Sequence, residues 1–147
     1  MILDARAEYA YQTALSTGGS GTTVFGNVMD LTKVRDIGNG QDLFWYGVCT
    51  TAGAGGTSVS FQLVSADDAA LSTNAVVHLQ TPVIVTANIL AGKMLFITAL
   101  PREVSSSTYH QFIGVKQVIV GTFTAGKVST GLTLDMKGWK GYPDAVN

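Results

Sequence analysis

Charged side chains are scarce in this chain of 147 residues: Asp, Glu, Lys and Arg make up 13%, and the net charge is −1. A nucleic-acid-binding protein needs a basic stripe that neutralises phosphates, and none is visible, so we expect no nucleic-acid partner. With 46% hydrophobic residues and so few charges, a monomer would expose apolar patches, which usually mark interaction surfaces. We therefore expect a symmetric homo-oligomer, a dimer or a trimer, or a larger assembly.

Cysteine is nearly absent as well. The single residue, Cys49, excludes an intrachain disulfide and a disulfide-stapled secreted fold. It lies in an apolar run with no basic neighbour to lower its pKa, so we interpret it as a buried, inert thiol. The first residues lack the basic start and apolar stretch of a signal peptide. Residues 43–66 and 69–92 carry no charge, but polar residues, glycines or a proline interrupt both, so we expect no membrane partner.

The chain is instead rich in β-branched residues: it has 16 valines, 17 threonines and 7 isoleucines, against 2 glutamates and 6 lysines. β-Branched side chains fit the pleated surface of a sheet and lose rotamer freedom in helices. Alternation and turn signals predict an all-β fold, a sandwich or a barrel of about seven or eight strands, with one helical turn near residues 87–90. The predicted strands are residues 43–51, 57–65, 75–80, 83–86, 93–100, 109–120 and 127–136.

Two of these strands have informative patterns. Residues 43–51 are apolar on both faces, which is typical of a central strand that is covered twice. Residues 57–65 alternate, so that Val59, Phe61 and Leu63 face inward and the intervening Ser58, Ser60 and Gln62 face water. The glycine-rich residues 51–56 between the two strands predict a hairpin loop.

The sequence indicates one domain with two less regular ends. We assign residues 1–30 to an extended N-terminal arm with a flexible Gly/Ser link at 17–22, residues 31–137 to the sandwich and residues 138–147 to a C-terminal tail. Aromatic residues outside regular elements either fold back onto the core or anchor a partner. The candidate interface residues in the arm and the tail are Ile2, Leu3, Tyr9, Tyr11, Phe25, Trp139 and Tyr142.

The strongest chemical motif is residues 121–127, Gly-Thr-Phe-Thr-Ala-Gly-Lys, which matches the first seven positions of a phosphate-binding P-loop. The eighth position must be Ser or Thr to hold Mg²⁺, and here it is Val128. The loop must also open a helix, whereas the following residues alternate like a strand. We therefore predict a hairpin here and no nucleotide site.

No other group of residues predicts a reaction. Asp67 and Asp68 are adjacent carboxylates, and we interpret them as a solvated turn rather than an acid–base pair or a calcium loop. His78 and His110 fall on different strands with no Cys or His at metal-ligand spacing. We expect no catalytic site, metal or cofactor, and no enzymatic activity.

Four stretches are similar to those of a known family when they are taken in order along the chain. They are the start at residues 1–5, residues 34–40, residues 61–68, and residues 120–128 continuing through 131–135. In these stretches the chain resembles the Bbp16-type capsid cement proteins of tailed bacteriophages.

This resemblance implies a jelly-roll-like antiparallel sandwich that is made in the host cytoplasm and sits on the outer surface of the virion capsid. There it would associate with copies of itself and clamp neighbouring subunits of the major capsid protein. The alternative is a carbohydrate- or receptor-binding β-sandwich module of a virion, in which Trp45, Tyr46 or Trp139 would stack on sugars.

Overall fold

The structure, a computed structural model, describes residues 7–32, 42–101 and 109–134. These residues form strands joined by short connections, with one 3-10 turn (Thr86–Asn88) where the sequence predicts a helical turn. No helix in these ranges has the length and apolar character needed to cross a membrane. The strands are β1 (Glu8–Ala14), β2 (Gly21–Asp30), β3 (Phe44–Ala54), β4 (Ser58–Ala66), β5 (Val76–Gln80), β6 (Ile84–Val85), β7 (Met94–Ala99), β8 (Phe112–Val120) and β9 (Ala125–Thr133).

The nine strands make two antiparallel sheets, which confirms the predicted all-β sandwich. Sheet A has the order β1-β9-β3-β7, and sheet B has the order β2-β8-β4-β5, with the short β6 also beside β4. Every predicted strand from residue 43 onward has its counterpart, because apolar alternation is a local property of a half-buried strand.

The pairing of the strands defines a jelly roll. Strand β1 pairs with β9, β2 with β8, β3 with β7 and β4 with β5, so the chain is a two-stranded antiparallel ribbon whose tip is the β4–β5 turn. The ribbon is rolled until β9 also lies beside β3, and β8 also lies beside β4. A double-sheet sandwich wound in this way is the jelly-roll architecture.

The core lies between the inner faces of the two sheets. Phe61 of β4 packs against Phe25 of β2 and Phe96 of β7, with ring centroids 5.4 Å apart in both pairs. Trp45 of β3 is fully buried, and its indole Nε1–H donates to Thr130 Oγ1 at 3.0 Å. The indole polar group is therefore satisfied inside the core, as a buried Trp requires.

The patterns of β3 and β4 are confirmed with one difference. Strand β3 is central in sheet A, and buried residues lie on both of its faces, with Trp45 inward and Tyr46 outward. In β4, Val59, Phe61 and Leu63 belong to the core as predicted. Ser58 and Ser60 lie on the outer face but are only 7% and 4% exposed, so they do not face water as expected.

Both predicted hairpins are wrong, because the chain changes sheets at each of them. Residues 55–57 lead from β3 in sheet A to β4 in sheet B, and residues 121–124 lead from β8 in sheet B to β9 in sheet A. The two connections run side by side: Thr57 N donates to Val120 O at 2.8 Å, and Thr124 N to Ala54 O at 2.9 Å. Phe123, which is 1% exposed, closes this end of the core.

The predicted N-terminal arm is also wrong for the residues that the structure describes there. Residues 8–30 supply β1 and β2, and their link, which contains Ser20, is a third connection between the sheets, where Gly121 N donates to Ser20 Oγ at 2.9 Å. The two strands touch closely at Gly26, where φ is +81° and an added methyl group would overlap the carbonyl oxygen of Tyr9. Residue 30 is thus the end of a strand and not a domain boundary. The predicted tail at residues 138–147 lies outside the described residues.

Candidate interaction surface

The outer face of sheet B is nearly free of charge. Its five strands contain only two charged residues, Lys116 in the middle of β8 and Asp30 at the end of β2. The register of the strands assigns their side chains to faces, since residues directly opposite one another point to the same side. Strand β8 presents its even-numbered residues 112–120 outward, opposite the even-numbered residues 58–66 of β4.

At the sheet-crossing end, where residues 55–57 and 121–124 pass between the sheets, the strands of this face carry three exposed or half-buried valines, and a fourth, Val83, directly precedes β6. Ser58 of β4 lies between Val85 of β6 and Val120 of β8, which are 46% and 49% exposed. Ser60 lies beside Val118 in the next row of the sheet. Val83, two residues before Val85, is 67% exposed. We call Val83, Val85, Val118 and Val120 the valine patch. None of the described strand residues paired with Ser58 and Ser60 is charged.

A polar row separates the valine patch from the other end of the face. In this row Gln62 Nε2 donates to Gln80 Oε1 at 3.1 Å, and Lys116 lies opposite Gln62. Beyond it the outer face is covered by the chain itself, because Leu71 of the β4–β5 turn is fully buried over Gly114. One end of this sheet face is therefore capped, and the valine patch is open.

The β4–β5 turn is fixed to the start of β8 by polar side chains that are distant in sequence. Ser65 Oγ lies 2.6 Å from His78 Nε2 and accepts from the backbone N–H of His110 at 3.1 Å. His110 Nδ1 lies 2.6 Å from Asp67 Oδ1, and Asn74 Nδ2 donates to Asp67 Oδ2 at 2.6 Å. The tip cluster is defined as Ser65, Asp67, Asn74, His78, Tyr109 and His110.

The chemistry of the tip cluster is that of a structural link. The Ser65 side chain is fully buried and already engaged with both histidines, so its hydroxyl does not face an approaching substrate. Burial, and then the neighbouring His110, lower the pKa of His78. The hydrogen bond from Asn74, followed by that from His110, lowers the pKa of Asp67. Within residues 7–32, 42–101 and 109–134, no three His, Cys, Asp or Glu side chains are placed to hold a metal ion.

The predicted interface residues do not form one surface. Tyr9 and Phe25 are 0% and 1% exposed and belong to the hydrophobic core, so in the folded chain neither is available to a partner. Tyr11 is 68% exposed, two residues from Tyr9, because β1 has register irregularities that break its alternation. The remaining four, Ile2, Leu3, Trp139 and Tyr142, lie outside the described residues.

The other residues that the sequence singled out are buried or lie in a turn. Trp45 and Tyr46 are 0% and 1% exposed, so neither can stack on a sugar as the carbohydrate-binding alternative requires. Cys49 is fully buried, and its burial raises the pKa of the thiol. The predicted Asp67–Asp68 turn is present, and Asp68 Oδ1 accepts from the backbone N–H of Ser72 at 2.7 Å.

Sequence reasoning missed the valine patch and the tip cluster. Val83 and Val85, and likewise Val118 and Val120, have the spacing of one strand face, and this was the available signal for a second apolar face. The tip cluster had no such signal, since Ser65 and His110 lie 45 residues apart in the chain.

The fold and this surface define a jelly-roll β-sandwich with an open, uncharged apolar patch on one sheet. The Bbp16 family model matches residues 14–132, which is most of the chain. The chain belongs to the Bbp16 family, which is associated with bacteriophages. No curated protein matches the chain.

Proposed function

We propose that this protein is a capsid cement protein, which attaches to the outside of an assembled phage head and clamps neighbouring major capsid subunits. Membership of a phage-associated family supports the setting. The observation that carries the proposal is the valine patch, because exposed apolar patches on a folded domain commonly serve as interaction surfaces. Val83, Val85 and Val120 are between 46% and 67% exposed.

The outer face of sheet B suits a partner that is rigid and already assembled. The three connections at the sheet-crossing end and the buried Phe123 hold the strands that carry the patch. A preorganised surface loses little conformational entropy on binding. None of the described strand residues beside Ser58 and Ser60 is charged, so this part of the surface can be covered without desolvating an ion.

The stabilising action follows from mass action. A protein that binds subunits only while they are assembled lowers the free energy of the assembled state by RT ln(1 + [L]/Kd), which is about 2.7 kcal/mol per site at a concentration of 100 Kd. The temperature at which heads come apart should therefore rise with the concentration of added protein.

The test uses purified full-length protein and expanded phage heads that lack it. After mixing, the expected result is co-sedimentation with the heads and a concentration-dependent rise in the temperature of head disruption. Absence of co-sedimentation, or attachment with no gain in head stability, would refute the cement function.

A matched pair of substitutions then tests the surface. Val120→Asp places a charge in the valine patch, whereas Ile97→Asp places the same charge on the outer face of sheet A, at a residue that is 44% exposed. Since disrupting a central contact costs about 1–2 kcal/mol or more, Val120→Asp should weaken attachment at least about fivefold. Ile97→Asp should bind as the wild type does. The reverse pattern would assign the contact to sheet A, and Tm values for both variants verify that they are folded.

We also propose that the protein forms a symmetric homo-oligomer, a dimer or a trimer. The low charge of the chain and its exposed aliphatic residues support self-association. Sedimentation equilibrium over a wide range of concentrations should give two or three times the mass of the chain, and a monomer throughout would exclude this state.

A further inference from the structure

We propose that the tip cluster is an acid-sensitive latch, which fastens the β4–β5 turn to the start of β8 and opens when His78 takes up a proton. The inference is independent of the proposed function. It depends on the hydrogen bonds of a buried hydroxyl and on two histidines that the fold brings together.

The proton positions around Ser65 explain why the latch prefers a neutral His78. The hydroxyl oxygen accepts the N–H of His110 at 3.1 Å, and the hydroxyl hydrogen can be donated to His78 Nε2 at 2.6 Å. A protonated imidazole carries hydrogens on both nitrogens, so Nε2 can then only donate. Ser65 is fully buried, and its hydroxyl hydrogen would lose the acceptor that it has now. A buried donor without a partner is strongly unfavourable.

The surroundings of His78 also favour its neutral form overall. His110 is close enough to disfavour a positive charge on His78, and its ring pairs with Asp67, which is followed in the chain by Asp68. The Tyr109 ring stacks on His78 with centroids 4.1 Å apart, a contact that would favour a cation. Next to His110 in the chain, Gln111 Nε2 donates to the carboxylate Oδ1 of Asp30 at 3.4 Å. The pKa of His78 is nonetheless lowered, by burial first and by His110 second.

The direction of the pH effect follows from this lowered pKa. The contribution of the latch is complete above the ordinary histidine pKa of 6.5 and is lost as the pH falls through the lower value of the closed form. Asp67, whose pKa is lowered from 3.8, stays ionised through this range. For one histidine, the gain in the opening equilibrium at pH 5.0 has a ceiling of about thirtyfold.

Opening would reach beyond the cluster. Leu71 covers the outer face of sheet B from within the same turn, where it packs with Val64 and Ala66, and Val28 and Phe112 border this group. Release of the turn would uncover these apolar residues. They lie beside the polar row of Gln62, Gln80 and Lys116, which borders the valine patch. The covered end of the face would thus become exposed in acid.

Hydrogen exchange on the full-length protein at pH 7.5 and pH 5.0, corrected for the intrinsic rates, tests the latch. Peptides that span residues 65–80 should exchange faster at pH 5.0, by up to about thirtyfold. Peptides from β3 and β9 should keep their protection. Equal corrected protection of residues 65–80 at both pH values, or equal loosening of β3 and β9, would overturn the proposal.

Two single substitutions identify the histidine that is responsible. His78→Gln stays neutral, so residues 65–80 should exchange at nearly the same corrected rate at both pH values. His110→Gln loses the contact with Asp67 and should exchange faster at both, while it keeps the dependence on pH. If acid loosening persists in His78→Gln and disappears in His110→Gln, the proposal for His78 is wrong. Near-ultraviolet circular dichroism of both variants at pH 7.5 verifies that the core is intact.

Discussion

Two tyrosines on β1 allow a direct test of whether the N-terminal strand belongs to the core. Tyr9 is 0% exposed and lies in the hydrophobic core, and Tyr11 is 68% exposed. The substitutions Tyr9→Ala and Tyr11→Ala remove the same side chain two residues apart. If residues 1–30 were an arm ordered only by a neighbour, both changes would leave the stability of the isolated domain unaltered.

The expected difference in stability between the two variants is large. Truncating a fully buried aromatic side chain to Ala costs about 3–5 kcal/mol, because apolar contacts are lost and a cavity remains. Substitutions at exposed sites usually stay within about 0.5 kcal/mol. Tyr11 OH accepts one hydrogen bond, from the exposed Gln12 Nε2 at 3.3 Å, so little is lost there. For a domain of this size, the Tyr9→Ala variant should melt roughly 6–20 °C lower, at about 2–4 °C per kcal/mol.

Urea unfolding followed by intrinsic fluorescence, with a thermal melt of the same samples, measures both variants. The expected order is wild type and Tyr11→Ala together, with Tyr9→Ala well below them. A loss of less than about 1 kcal/mol for Tyr9→Ala would contradict the structural position of β1, since truncation of core residues costs more than this. If Tyr9→Ala also attached poorly to heads while remaining stable, the arm hypothesis would be restored.

Three further predictions concern other residues of the strands. Gly26→Ala should lower the free energy of unfolding in urea by about 2–5 kcal/mol, because a positive φ and an overlap with the Tyr9 carbonyl both disfavour a methyl group; a loss below about 1 kcal/mol would contradict this. Burial and then Glu8 raise the pKa of Tyr46 to about 12, so stability should be complete below pH 10 and should fall as the pH rises toward 12. In an ultraviolet titration, Glu8→Gln should lower this pKa, and an unchanged value would exclude the charge effect. Cys49 should react with a thiol reagent only as the protein unfolds in urea, because it is fully buried; rapid labelling of the native protein would contradict this.

The strands could be predicted from the sequence, but their partners could not. Residues 57–65 alternate in a way that reveals both the strand and its inward face, since these depend on neighbours within a few positions. The connections at residues 55–57 and 121–124 have the length and the glycines of hairpin loops. A short loop can return the chain to the same sheet or pass it to the opposite one, and here pairing with distant strands decides between them.

Long-range pairing, which the sequence does not reveal, also determines the site and the environment of the N-terminal residues. Tyr9 and Tyr11 have the spacing of a single strand face, and the irregular register of β1 places them in opposite environments. The Gly/Ser composition of residues 17–22 resembles a flexible linker, although in the fold residues 17–20 lie in the connection between the two sheets and residues 21–22 begin β2. The tip cluster depends on a contact between Ser65 and His110 that forms only when β4 and β8 pair.

The pairing of the first described strand with the last one sets the order of events during synthesis. Strand β1 has its hydrogen-bonding partner in β9, more than a hundred residues later. Ribosomes add about 5–20 residues per second, so β1 leaves the ribosome many seconds before β9 exists. Sheet A therefore closes only after β9 has been synthesised, and long-range pairing of this kind makes folding slow. Until then the apolar face of the ribbon lacks its cover, and incompletely folded chains with exposed apolar surface are prone to aggregate.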